Sequence, residues 1–249
     1  MYPRRPPVMI IGAHRSGTSA TARALQLLGL QIGQHLDSHF EPYLLQRVQE
    51  DYLRRVGARW FEPRAFLEHL ETHAGLRDCV DYLRAQLSAR LFGYRNNAEG
   101  LWMRARLRFG AAWGWKEPRT TLFARAWLEI FPNARLLHLV RDPRAAGESI
   151  RARELKFQAA GDAPSGRIDN VDFATDLVLT YTEAGERLAA SANYLRVHFE
   201  DLQADPSRVL NEMAQFCDLT FTPQELASAA ATIRPASARS TSPKIDNPI

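Results

Sequence analysis

Cysteine is nearly absent: Cys79 and Cys217 are the only two in a chain of 249 residues. No disulfide framework carries such a chain, and a reducing, cytoplasmic setting is the expectation. Long hydrophobic runs are missing too. No stretch approaches the roughly 18 apolar residues of a membrane helix. Met1 to Pro7 is basic, but the apolar run behind it is short and meets Gly12 and Arg15 too soon for a secretory signal. There is no internal repeat, no low-complexity block and no His/Cys cluster at zinc spacing, so no metal is expected. Lysine is scarce. Of 32 basic residues only Lys116, Lys156 and Lys244 are lysine, and the other 29 are arginine. That bias fits a GC-rich, bacterial coding sequence, and it makes each lysine conspicuous.

What is present is ordinary for a globular protein: 45% hydrophobic and 24% charged residues. Disorder, collagen and coiled coil are excluded as overall classes. The net charge of +4 suits an anionic small ligand as well as nucleic acid. No basic stripe interleaved with aromatics is visible, so no nucleic-acid partner is expected. The length fits one domain over 1–249, with a helical insert at about 42–108 and a polar, proline-punctuated tail at about 234–249.

Strand and helix signals alternate. Val8 to Ile11 and Arg135 to Val140 read as buried strands, Ala112 to Lys116 and Tyr194 to Phe199 as further strands. Helices are expected at Thr18 to Leu28, over much of Pro42 to Gly93, and at Thr121 to Phe131, Pro143 to Arg153, Val171 to Ala192 and Pro206 to Cys217. Trp102, Trp113, Trp115, Trp127 and both cysteines are expected in the core. The alternation predicts an α/β fold of three layers, a mainly parallel sheet between helices. Ligands of such sheets sit beyond the carboxyl ends of the strands.

The segment after the first strand is GAHRSGTS, Gly12 to Ser19. It nearly matches the phosphate-loop pattern, with Gly12, Gly17 and Ser19 in place and Thr18 where the lysine should stand. Backbone amides of Gly17, Thr18 and Ser19 can converge on an oxyanion at a helix N-terminus, and Arg15 adds forked donors. The missing lysine argues against ordinary ATP or GTP hydrolysis. A second anion site is suggested by LLHLVRDPRAAGES, where Arg141 leaves a strand and Ser149 follows on the next helix. A strand-end ion pair of Arg141 with Asp142 or Asp201 is the plainer alternative.

Together GAHRSGTS and LVRDPRAAGES resemble the paired phosphosulfate and 3′-phosphate motifs of the sulfotransferases. WGWKEPRTTLF, from Trp113, resembles the lysine-proline segment of the bacterial, carbohydrate and protein-tyrosine branches, and YLRVHFEDLQADP, from Tyr194, their late strand and helix. The resemblance runs from Val8 to about Leu219. It implies a P-loop-NTPase-like version of that fold, a donor, 3′-phosphoadenosine 5′-phosphosulfate (PAPS), leaving adenosine 3′,5′-bisphosphate (PAP) as product, and sulfuryl transfer to a hydroxyl or amine without a metal. The acceptor it implies is a glycan, lipid or small metabolite. By the same resemblance Arg15, Ser16, Gly17, Thr18 and Ser19 would hold the phosphosulfate, and Arg141 and Ser149 the 3′-phosphate. Arg239 and Lys244 in the tail would close over the nucleotide, and Lys116 would stabilise the leaving oxygen. Glu41 would be the general base, with His39, His35 and His14 as competitors. A kinase or NTPase with a degenerate loop, and an inactive nucleotide-binding module, stay open as alternatives. The oligomeric state is not legible.

Overall fold

In the computed structural model, which describes residues 4–88, 90–161, 167–190 and 193–233, the apolar run Val8–Ile11 forms β1, buried along its whole length. Four further strands join it: β2 (Gln31–Ile32), β3 (Trp113–Lys116), β4 (Arg135–Val140) and β5 (Tyr194–His198). Their order is β2-β3-β1-β4-β5, and every pairing is parallel. Central parallel strands are covered on both faces, which is why β1 reads as a continuous apolar run and β4 is apolar but for Arg135 and His138.

The pleat sends alternate side chains to two cores. Met9, Ile11, Trp113, Trp115 and Leu136 enter one. There they meet α2 (Tyr43–Arg55), α3 (Arg64–Glu71), α4 (His73–Ala85), α6 (Thr120–Ile130) and α8 (Val171–Glu186). Val8, Ile10, Leu137, Leu139 and Val197 enter the other, against α1 (Thr18–Leu27), α10 (Pro206–Phe216) and α11 (Pro223–Ala230). The result is the expected three-layer α/β architecture. The remaining helices are α5 (Ala98–Arg108), α7 (Pro143–Ala159) and α9 (Phe199–Ala204). Among the described residues no helix is long and apolar enough to cross a membrane.

Register sets the site. Ile10 pairs with Lys116 and Ile11 with His138. The ends of β1, β3 and β4 therefore bring Gly12, Lys116 and Arg141 to one edge of the sheet.

Some boundaries differ from expectation. The stretch after Pro42 is helical as expected and divides into α2, α3 and α4. Gly57, at φ 73°, follows the end of α2, and the Thr72 hydroxyl caps α4 by accepting from the Gly75 amide. Helix α5 starts just after Asn97, whose side chain caps it by accepting from the Gly100 amide. Helix α7 runs on to Ala159, and α8 ends at Glu186 rather than Ala192. Trp113, Trp115 and Trp127 are buried as expected, but Trp102 is 58% exposed on α5, its ring covered by Arg106 at 4.9 Å.

His138, in the middle of β4, is fully buried, and its Nδ1 lies 2.6 Å from the Tyr194 hydroxyl. Burial first, then the charge of Arg196, lowers its pKa from 6.5 to about 4. The unfolded chain then binds a proton that the folded chain refuses. Stability from this group is full above pH 6.5 and is lost as pH falls towards 4. One histidine shifted this far contributes about 3 kcal/mol. Denaturant titrations from pH 7 to pH 4 should show that loss. His138→Gln should be less stable at pH 7 but lose one proton's worth of the slope.

Candidate active site

The turn from β1 into α1 is built on unusual backbone angles. Gly12 has φ 142°, Arg15 φ 69° and Gly17 φ 93°. The loop is tied down from outside: the Gly12 amide donates to Thr121 Oγ1 at 2.8 Å, and that hydroxyl donates back to the Gly12 carbonyl. Ser16 is buried, and its amide and hydroxyl both donate to the Ala13 carbonyl. Gly17 is the N-cap of α1, with no side-chain cap and no acidic residue in the first turn. An uncapped helix start with the dipole's positive end towards a cleft can hold an anion.

The second pocket adjoins it. Arg141, the first residue past β4, donates from Nη1 to the Arg15 carbonyl at 2.9 Å and lies over the Phe199 ring at 5.4 Å. Arg15 Nε donates to Ser149 Oγ at 3.0 Å. The side chains of Arg15, Arg141 and Ser149 thus share one wall. Asp142 caps α7, accepting from the Ala145 amide, and Arg144 pairs outwards with Asp172 and Glu148.

Lys116 and Glu41 form a buried ion pair, Nζ to Oε1 at 2.6 Å, with side-chain exposures of 1% and 9%. The loop that delivers Glu41 is organised by Asp37. One Asp37 oxygen accepts from the amides of His39 and Glu41, the other from Gln46 Nε2. Phe40 takes φ 65°, and Arg23 lies over its ring at 5.3 Å. Beneath Lys116, the fully buried Glu117 accepts from Gln49, from the Thr120 amide and from Arg119. Burial pushes the Glu117 carboxyl upwards, against the pull of the Arg119 charge. Arg119 is therefore a partner of Glu117.

His14 packs against Trp60, ring centroids 4.5 Å apart. Burial, then the charges of Arg153, Arg119 and Lys116, hold its imidazole well below the usual value. A neutral ring that resists protonation this strongly is a poor general base. His35 packs on Tyr43 and is not among the cleft residues, whereas His39 is.

These groups line one open cleft of about 680 Å³, which holds Arg15, Gly17, Thr18, Ser19, Glu41, Lys116, Arg141 and Ser149. Ser16 lies behind it. Arg239 and Lys244 fall outside the described residues. Sequence reasoning missed Asp37, Thr121, Phe199 and Arg153. Arg153 alone had a local signal, four residues past Ser149 on one helix face.

Residues 6–223 match the model of the Sulfotransferase family. No curated protein matches the chain. Among solved structures, it is similar to the sulfotransferase domain of the Synechococcus PCC 7002 olefin synthase, at 18% identity and TM-score 0.52, over 92% of this chain and 78% of that one. Sulfotransferase STF9 of Mycobacterium avium aligns at 15% identity and TM-score 0.53, over 96% and 70%. The sulfotransferase domain of the curacin biosynthetic pathway aligns at 19% and 0.50, over 93% and 84%. At such identities the likeness is one of fold.

Proposed function

The chain belongs to the sulfotransferase family, and on that premise we propose that it moves a sulfuryl group from PAPS to a hydroxyl or amine of a small-molecule or glycan acceptor. The observation that carries the reading is the junction of the two anion pockets, Arg141 to the Arg15 carbonyl and Arg15 to Ser149. A ligand with a phosphosulfate and a separate phosphate needs two adjoining cationic pockets, and the uncapped start of α1 supplies fixed donors for one of them. Bound there, PAPS would supply an activated sulfuryl group.

The chain's own side chains divide the remaining work. The amides of Gly17, Thr18 and Ser19 and the Arg15 guanidinium orient the phosphosulfate. Arg141 and Ser149 hold the 3′-phosphate, with Phe199 supporting the arginine from below. Arg239 and Lys244 would add charge from the tail. Glu41 takes the proton from the attacking hydroxyl, and His39 is the nearest competitor for that task. Lys116 stands beside it as a compact ammonium that meets charge developing on the bridging oxygen. Sulfuryl transfer, like phosphoryl transfer, rests on alignment and charge stabilisation.

Calorimetry with PAP tests the reading. Wild-type protein should bind it without a metal and should not bind ATP with Mg²⁺ more tightly. Arg15→Ala and Arg141→Ala should each weaken PAP by about 10- to 150-fold, the range for losing a charge-assisted hydrogen bond. Unchanged affinity in both variants would defeat the assignment.

A further inference from the structure

The cleft holds cations beyond those assigned to the two anion pockets. Arg15, Arg23, Lys116, Arg141, Arg153 and Lys156 line it, and Glu41 is the one carboxylate among its described residues. Four of the six are already engaged. Lys116 pairs with Glu41, Arg23 covers Phe40, and Arg15 and Arg141 interlock at the anion pockets.

Arg153 is different. Its Nε is buried and has no hydrogen-bond partner. Burial, and after it the charge of Arg15, pulls it below an ordinary guanidinium, while Glu41 and Glu154 pull the other way. The guanidinium thus feels both the phosphate loop and the candidate base. Beside it, His14 Nε2 is also buried without a partner, and Arg153 is the charge that acts on His14 most. Trp60 and Tyr181 fix the imidazole, at 4.5 and 5.9 Å between ring centroids.

On α7 the order is Ser149, Arg153, Lys156. Steps of four and then three residues keep all three on one helix face. At 1.5 Å per residue, Arg153 lies about 6 Å and Lys156 about 10 Å along the axis from Ser149. A line of cationic groups therefore leads away from the proposed 3′-phosphate pocket along the cleft wall. A guanidinium whose Nε is buried without an acceptor is costly to keep. The cost is recovered when a ligand brings an anionic oxygen to it.

We propose that Arg153, with His14 beside it and Lys156 at the rim, binds an acidic group of the acceptor, so that the preferred acceptor carries a carboxylate or a phosphate or sulfate ester near its reacting oxygen. This rests on the sulfotransferase reading of the cleft. Arg153 offers a planar fork suited to two oxygens of one anion, and neutral His14 adds a hydrogen bond without further charge.

The test uses the full chain saturated with PAP and measures binding, not turnover. The probes are para-hydroxyphenylacetate, its amide and tyramine, which share a hydroxyl and differ in charge at the far end. The carboxylate should bind about tenfold or more tighter than the amide, and tyramine weakest. Arg153→Gln should bring carboxylate and amide to equal affinity, leave PAP affinity within about twofold, and raise the Tm of the ligand-free protein. Arg153→Lys should keep part of the preference. A carboxylate that binds wild type no better than its amide overturns the inference, and so does a preference that survives Arg153→Gln. Loss of PAP binding in Arg153→Gln with the preference intact would assign the residue to the donor and overturn it too. Failure of wild type to bind PAP would remove the donor reading and this inference together. PAP bound without any anion preference would remove this one only.

Discussion

Glu41→Gln is expected to lower kcat by about 10²- to 10⁴-fold, the usual worth of a positioned general base, with PAP affinity within about twofold of wild type. Glutamine keeps the shape of the side chain, and its amide oxygen still accepts from Lys116, so the loop organised by Asp37 should persist. It cannot take the acceptor's proton. The buried ammonium also loses its counter-charge, which costs stability: breaking a buried pair is worth about 3–5 kcal/mol at the upper end. Activity and stability can be separated. Glu41→Gln combined with Lys116→Met removes both charges and should regain much of the lost Tm while turnover stays as low as in the worse single variant. Residual kcat within about tenfold of wild type in Glu41→Gln would move proton removal elsewhere, with His39→Ala the variant that decides it.

What was legible in the chain was what is encoded locally. Val8–Ile11 is an unbroken apolar run, and Arg135–Val140 is apolar but for Arg135 and His138, because both faces of a central parallel strand are covered; both appear where expected. The turn from β1 into α1 is legible for a related reason: Gly12 and Gly17 take left-sided φ values that a short motif records directly. Strand β2 was not, since two residues at a sheet edge carry no periodicity. The breaks between α2, α3 and α4 were written in Gly57, Pro63 and Thr72, but amphipathic spacing on either side masked them. Trp102 was misread because aromatic content predicts burial only on average, and the side of α5 it occupies faces solvent. Pairings across the sheet edge were the least accessible. Glu41 and Lys116 stand 75 positions apart, and the Arg153 charge acts on His14 only because α7 and the loop after β1 flank one cleft. No window of residues contains such a fact. The fold creates it by ending three strands at one level.

That level is also where a single methyl group should do the most damage to binding. Gly17→Ala would place its Cβ 2.2 Å from Cδ2 of Phe199, well inside contact distance, at a backbone φ of 93°. Two costs compound. A left-sided φ with a Cβ is strained by about 1–2 kcal/mol. The ring must also move, and the ring is what Arg141 rests on, 5.4 Å from its centroid. One substitution thus disturbs the uncapped amides of the phosphate loop and the arginine of the neighbouring pocket together. Two charge-assisted contacts weakened at once predict a loss of PAP affinity of 10²-fold or more, larger than either arginine variant shows on average. The two causes are separable. Gly17→Ala with Phe199→Leu relieves the collision but not the backbone strain, so partial recovery of PAP binding is expected if the ring is the main obstacle. If the double variant is no better than Gly17→Ala, strain in the loop dominates and the link between the two pockets through Phe199 fails. Gly17→Ala binding PAP like wild type would contradict the geometry of the loop itself.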